Sequence, residues 1–572
     1  MARLGKEELR ELDAEIDVSI GSEALLSLPR DVALMNLLRA FEDYCRLFAQ
    51  RREDFQSVAA LIKQGQDGMQ FAVDWIHRYC PVPTVKDQFD VVTDTYVAAS
   101  RLHQTAMEYS IVWDLMSQMH RGAAFGERVG NGPIRLEYED SEAEVFDTCS
   151  HLFASPDAPD FTERLGELVE ELRPDKLFEG IRIHRYPGGR IKYTTPDEVF
   201  QEIAEVQKEV LAARWELGSD WDLGGYNFSE FRRFWVTLLT LCWIHHNVCF
   251  FSGVKGGALT SVVRMMSRHG WESEIVRRSS LEPSTVRAIL DDLIYDSRLY
   301  EAGNKQAEVT CQPFFCLRAE LLAVSNQLVM LSNAERNLWD LISIKRPEIH
   351  SRLRNLKEAL WLEEIVPKLK AYGLKSFGPM KLVHNGKHSD LDLLVLDAEN
   401  RFGLGMQLKW LNHPDRIRDV KYADKELDKG LDQAELALEW LNSRPNQLLN
   451  STGLSLKELE AFEFQSIVLS KNTLGSTSTR REGIPVLTER ILHWILGDPH
   501  QSSLKTLWQV GEAKRYMPLR GVHFADHDAV ADFGGVRFIG KKMAMKKLRE
   551  WDPGKDIDLN GLLDQQQNAA MA

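Results

Sequence analysis

The sequence predicts a multidomain α+β protein, in which a large, mainly α-helical N-terminal region is followed by an α/β domain with a central mixed sheet flanked by helices. Three observations carry that expectation. The chain has 572 residues, well past the roughly 250–300 at which one hydrophobic core stops growing. Apolar residues recur every three or four positions over residues 24–122, the period of amphipathic helices. Beyond about residue 355 strands and helices alternate up to about Gly497, which marks an α/β domain.

Composition narrows the classes. With 44% hydrophobic and 27% charged residues, the chain has enough apolar surface to offset the ordering entropy of a packed core. The 70 Lys and Arg against 85 Asp and Glu give a net charge of -15, which argues against coating nucleic acid by bulk electrostatics and leaves only local basic strips. Seven cysteines with no CxxC pair suit a reducing compartment rather than a disulfide framework. The start, MARLGKEELRELDAEIDV, lacks the apolar core of a signal peptide, so a cytoplasmic protein is expected.

Taken in order, LMNLLRAFEDYCRLF and YSIVWDLMSQM read as helices, and GERVGNGP and ASPDAPD as loops joining subdomains. IRIHRYPGGRIKYTT reads as a β-hairpin turning at Pro187, Gly188 and Gly189. A long helix follows, with Thr195 as N-cap, Pro196 at the first helical position and Glu198 three residues beyond the cap. Residues 234–251 approach the membrane-span length of about 18 residues, but His245, His246 and Asn247 inside the run make it a buried helix. Helices over SEIVRRSSLEPSTVRAILDDL precede two extended apolar runs, EVTCQPFFCL and LLAVSNQLVML, and helices resume at NAERNLWDLI and NLKEALWLEEIVPKLKAYG. The divisions are 1–302 for a sensing or assembly region with a candidate helix-turn-helix near 270–300, 303–354 for a strand pair and helical connector, 355–510 for the α/β domain and 511–572 for a C-terminal extension.

The chemistry concentrates in HSDLDLLVLDAENRFGLGMQLKW, residues 388–410, where two strand-like runs flank a turn rich in Asp, Glu, Asn and Gly. A turn centred between Glu399 and Asn400 sets Asp392 opposite Gln407. Gln407 and Lys409 then share one face, as do Asp390 and Asp392. A carboxylate, an amide oxygen and an ammonium gather on one surface. Asp392 and the Gln407 oxygen are hard ligands suited to Mg²⁺ or Mn²⁺, and Lys409 is placed to neutralise charge on a phosphate.

These residues resemble the PD-(D/E)xK nuclease superfamily, the restriction-endonuclease-like fold, over roughly residues 355–497. Asp392 falls on the family's catalytic Asp, Gln407 on its acidic ligand and Lys409 on its catalytic Lys. Glu363 or Glu364 falls on the acidic residue of the preceding helix, and Gln433 resembles a glutamine that RecB-like branches use near the scissile phosphate. Gln407 replaces the usual acidic ligand, as in the QxK variant of some type IV restriction-type enzymes, and Leu391 precedes Asp392 where the family has Pro. The resemblance implies a divalent-metal-dependent endonuclease acting on DNA, with RNA as the alternative, and a role in prokaryotic defence against foreign DNA. It also implies regulated access through a protein activator or a second copy of the chain. A catalytically inactive scaffold or DNA-binding regulator is the rival expectation.

Weaker signals have structural readings that outweigh their functional ones. Cys242, His245, His246 and Cys249 have zinc-ligand side chains at helical spacing, with a packed core helix as the default. SSLEPSTVRAILDDL resembles a helix-turn-helix, its cations Arg277, Arg278 and Arg287 offset by Glu282, Asp291 and Asp292. The hairpin cations Arg182, Arg185, Arg190 and Lys192, with His184, Tyr186 and Tyr193, are candidate nucleic-acid contacts. VRFIGKKMAMKKLREW, with Lys541, Lys542, Lys546 and Lys547, reads as a basic contact helix or a solvated face. No phosphate-binding GxxxxGK(S/T), GxSxG or HExxH occurs, so an ATP-driven motor would be another chain.

Overall fold

A computed structural model of the chain describes residues 2–49, 55–83, 93–150, 181–251, 261–301, 309–412, 417–497 and 503–545, apart from 123, 129, 131, 139, 187–189, 213, 319–320, 480, 515, 519 and 521–523. The turn glycines 188 and 189, the segment ASPDAPD, Lys546 and Lys547 lie outside the described residues. The fold is mixed α/β, with helices predominating and several small sheets.

The N-terminal part packs four helices, α1 (Lys6–Ile20), α2 (Arg30–Ala49), α3 (Phe55–Tyr79) and α4 (Thr93–Arg121), around Leu34, Leu38, Phe41, Ile76 and Leu102. The stretch GERVGNGP differs from the loop expected. It joins β2 (Phe125–Arg128) to β3 (Ile134–Glu137) in an antiparallel hairpin, and β1 (Ala2–Arg3) adds to β2. The lysine-rich run also differs from the expected helix. It is a strand, β17 (Val536–Met545), paired with β16 (Phe524–Phe533). Gly534 and Gly535 both take positive φ, 60° and 80°, which a two-residue hairpin turn requires and a side chain would strain. Because β17 runs parallel to β3, residues 2–3 and 524–545 join one sheet of order β1-β2-β3-β17-β16.

The middle of the chain opens with α5 (Ser141–Cys149) and the expected hairpin, β4 (Arg182–Tyr186) and β5 (Arg190–Thr194). Next come α6 (Asp197–Ala212) and the buried α7 (Phe228–Phe251). None of the described helices is long and apolar enough to cross a membrane. Strand β6 (Arg264–Ser267), helices α8 (Arg268–Ser279) and α9 (Pro283–Leu293), and strands β7 (Phe314–Arg318) and β8 (Leu321–Val324) give two consecutive helices joined by a short turn beside a three-stranded sheet of order β6-β8-β7. The second apolar run is only half strand. Ser325 accepts a hydrogen bond from the Leu328 amide and starts a short helix, α10 (Asn326–Met330), because a serine side chain at that point satisfies a free helical donor.

Helices α11 (Ala334–Lys345) and α12 (Pro347–Ala371) lead into the last part, and α12 continues through Pro367. Its strands are β9 (Lys375–Phe377), β10 (Met380–His384), β11 (Lys387–Leu391), β12 (Leu393–Asp397), β13 (Phe402–Lys409), β14 (Glu463–Ser470) and β15 (Val486–Thr488). Five of them form a mixed sheet of order β15-β14-β13-β12-β9, with β14 parallel to both its neighbours. On one face Leu393, Leu404 and Met406 meet Trp361 and Ile365 of α12, Ile491 of α14 (Glu489–Leu496) and Leu507 of α15 (Leu504–Glu512). On the other face Leu394 and Leu396 meet Trp440 and Leu441 of α13 (Ile417–Ser443). The first of these cores is continuous with the one that buries α7, α8 and α9.

Candidate active site

Strands β12 and β13 pair with Leu393 opposite Met406 and Asp397 opposite Phe402, the register of a turn centred between Glu399 and Asn400. Buried Asp397 holds that turn by accepting from the Asn400 amide (3.1 Å) and side chain (2.8 Å). The run SDLDLLVLD is not one continuous strand, however. It breaks at Asp392, where β11 leaves to pair with β10 and β12 enters the five-stranded sheet. Residues at such a break are free of the ladder. The Asp392 carboxylate turns to the end of β13 and accepts from the Leu408 amide through Oδ2 at 2.8 Å.

Gln407 is 1% exposed. Its Nε2 donates to the Asp390 carbonyl at 2.6 Å, and its Oε1 is buried with no hydrogen-bond partner among the described residues. A buried amide oxygen without a partner is costly, about 1–3 kcal/mol, and marks a position for a donor or a cation. Lys409, two residues on and facing α13, donates from Nζ to Gln433 Oε1 at 2.8 Å. Helix α13 makes room for it with a glycine, since a Cβ at Gly430 would lie 2.9 Å from Lys409 Cε. The structure thus brings together Asp392, Gln407, Lys409 and Gln433, with Asp390 exposed beside them.

Burial raises the Asp392 carboxyl above its ordinary value; the Leu408 amide and Lys409 pull it back, while Glu358 and Asp390 add to the rise. Of the carboxylates on α12, it is therefore Glu358 whose field reaches Asp392. Glu364 is occupied elsewhere, 3.1 Å from Lys471 Nζ, and Glu363 is exposed. Glu358 thus joins Glu363 and Glu364 as a candidate, and its placement leaves a signal in the sequence. The buried stripe of α12, Leu353, Lys357, Trp361, Ile365 and Leu369, repeats every four residues, and at 3.6 residues per turn Glu358 and Glu364 flank it on opposite sides.

Behind Lys409 the next residue, Trp410, is clamped by two ammonium groups. Lys471 Nζ lies 3.6 Å from its ring centroid, and Lys357 Nζ lies 5.0 Å from both the Trp410 and Trp339 rings. Lys357 donates to Asn412 at 3.0 Å, and burial lowers its pKa to about 8.

Among the described residues no group of three or more His, Cys, Asp or Glu is arranged to hold a metal ion. A donor set of one carboxylate and one orphaned amide oxygen nevertheless fits Mg²⁺ or Mn²⁺, which is held by one or two protein oxygens and otherwise by water and phosphate.

The weaker candidates are placed as follows. His245 meets the Ser261 carbonyl (2.8 Å) and the Tyr193 hydroxyl (3.0 Å), His246 meets Gln327 (3.0 Å), and Cys242 and Cys249 are buried, so these four are engaged in core packing. In the candidate helix-turn-helix, α8 and α9, Arg287 faces Glu272 (3.7 Å), and Arg268 pairs with both Glu272 and Asp291. Arg277 and Arg278 both bind Asp197 and Glu274. On the hairpin Arg182, His184 and Lys192 are exposed, whereas the side chains of Arg185, Tyr186 and Arg190 lie outside the described residues. No family model matches the chain, and no curated protein or solved structure matches it.

Proposed function

We propose that the chain is a divalent-metal-dependent nuclease of the restriction-endonuclease-like type, hydrolysing phosphodiester bonds in DNA. The observation that carries this reading is the buried, unpartnered Gln407 oxygen on the strand opposite Asp392, with Lys409 on the same face and held by Gln433. The mixed sheet between α12 and α13, and the parallel step from β13 through α13 to β14, support it as the frame such a site needs.

In this reading Asp392 and Gln407 hold Mg²⁺ or Mn²⁺, which when bound supplies Lewis-acid polarisation of the phosphodiester. The Leu408 amide orients the Asp392 carboxylate, and the Gln407 amide, anchored on the Asp390 carbonyl, presents its oxygen rather than its nitrogen. Lys409 offsets the negative charge that grows on the phosphoryl oxygens during attack, and Gln433 fixes where its ammonium sits. Glu358 adds negative potential from α12.

The test is cleavage of linear, supercoiled and single-stranded DNA by the purified full chain with Mg²⁺ or Mn²⁺, beside EDTA and Lys409→Ala controls. Cutting that needs metal and falls by about 10²–10³ in the variant is expected. Equal inertness of both proteins, with no Mn²⁺ bound in a calorimetric titration, would sink the catalytic reading. It would favour an inactive scaffold instead.

A further inference from the structure

A groove of about 1380 Å³ lies far from Asp392 in sequence, between the β4–β5 hairpin and the sheet of the helix-turn-helix. Residues 191–194 of β5 and 264–266 of β6 line it consecutively. Side chains alternate along a strand, so a wall made of successive residues is a strand seen edge-on rather than by one face. Both strands are edges among the described residues, where β5 pairs with β4 and β6 with β8. Leu241, Ile244 and His245 of α7 line the groove between them.

The open edge of β5 can be assigned from its hydrogen bonds. The Ile191 amide leaves the hairpin to reach Ser261 Oγ at 2.8 Å, so Ile191 and, two residues on, Tyr193 point their main-chain groups away from β4. By the same alternation the Tyr193 amide and carbonyl face the open edge rather than Ile183 of β4. At one end of the groove Arg278 binds the Thr195 carbonyl (3.0 Å) and Asp197. Charge inside is uneven. The carboxylates Asp197 and Glu274 are taken up by Arg277 and Arg278, whereas Lys192 and Arg264 have no ion pair among the described residues. Arg264 spends one nitrogen on the Leu241 carbonyl at 3.1 Å.

We propose that this groove takes an extended, carboxylate-bearing peptide segment of a partner protein, added as a strand to the open edge of β5, with acidic side chains on Lys192 and Arg264. A peptide strand supplies the alternating donors and acceptors that an unpaired edge needs, at the strand's own repeat, and side chains on alternate residues reach the walls. A nucleic-acid backbone would use the two cations and leave the edge unpaired. The site is separate from the one around Asp392, and its occupancy is independent of nuclease activity.

Fluorescence anisotropy on the full chain tests this, with a fluorescein-labelled octapeptide of alternating valine and glutamate as probe. Saturable binding is expected, weakened at least about tenfold by N-methylation of alternate amides, which removes strand pairing, and by Arg264→Glu. Lys192→Glu, at an exposed position, should weaken binding likewise and guards against a folding defect in the first variant. Hydrogen exchange of the Tyr193 amide should slow when the probe binds. The proposal is overturned by no saturable binding, by binding indifferent to N-methylation, or by an oligothymidylate that binds more tightly than the peptide and protects no Tyr193 amide.

Discussion

Gln407 shows how much one side chain decides. Its nitrogen is committed to the Asp390 carbonyl and its oxygen has no hydrogen-bond partner among the described residues; in the proposed function that oxygen meets a cation as an amide, where a carboxylate would bring a full charge. Gln407→Glu would set a carboxylate oxygen against that carbonyl. The metal-free variant is expected to lose about 1–3 kcal/mol of stability, and Mn²⁺ should raise its Tm more than it raises that of the wild type, read by thermal melting with and without the ion; equal shifts would remove Gln407 from the metal site. Gly430 offers a second test at this scale. On helix propensity alone Gly430→Ala should stabilise by about 1 kcal/mol, but the added methyl meets Lys409 Cε. Cleavage is expected to fall much further than Tm, and a variant with full activity would show that the position of Lys409 does not matter.

Between elements, Glu489 ties α14 to α12. It is 2% exposed and accepts from the Trp361 indole (3.0 Å), Lys368 (2.7 Å) and His493 (3.2 Å). Burial alone would raise its pKa, but the hydrogen bonds from His493 and Lys368 outweigh it and hold the carboxyl at about 2. A folded pKa below the unfolded value of about 4.3 means stabilisation that is complete above the unfolded pKa and is lost as pH falls through the folded one. The contribution is about 3 kcal/mol near neutral pH. Urea denaturation of the wild type and Glu489→Gln should therefore differ clearly at pH 7 and converge toward pH 2, and a pH-independent difference would assign the effect to packing. The same scale explains what was readable in the sequence. The β12–β13 register was legible because side-chain alternation and a turn rich in Asp, Glu, Asn and Gly both act locally. Strand β17 was not, because GKKMAMKK satisfies a helical spacing as well as a strand's, and the pairing with β16 and β3 decided between them.

For the molecule as a whole, the β16–β17 hairpin and the N-terminal helices are one structural unit. Phe533 packs edge-on to Tyr109 of α4 at 5.2 Å, and Ala531 and Phe538 share the core of α1 to α4. The ion pair between Arg318 of β7 and Asp31 of α2, and the Ser325 hydroxyl on buried Glu42 (2.6 Å), join the same helices to the middle of the chain. Phe538→Ala is expected to cost about 3–5 kcal/mol. Deleting residues 520–572 should lower the Tm of the N-terminal helices, measured by calorimetry; an unchanged melting profile would make that segment an independent appendage.

By itself the sequence determined the mixed α/β character, the helical N-terminal part, and the β4–β5 and β12–β13 hairpins with the register of the second, all set by periodicity and turn residues within a few positions of one another. Tertiary structure decided the rest. The break in the strand at Asp392, the glycine beneath Lys409 and the packing of the β16–β17 hairpin on α4 depend on which distant surfaces come into contact. Hydrophobic burial is non-directional and leaves no local mark of its partner.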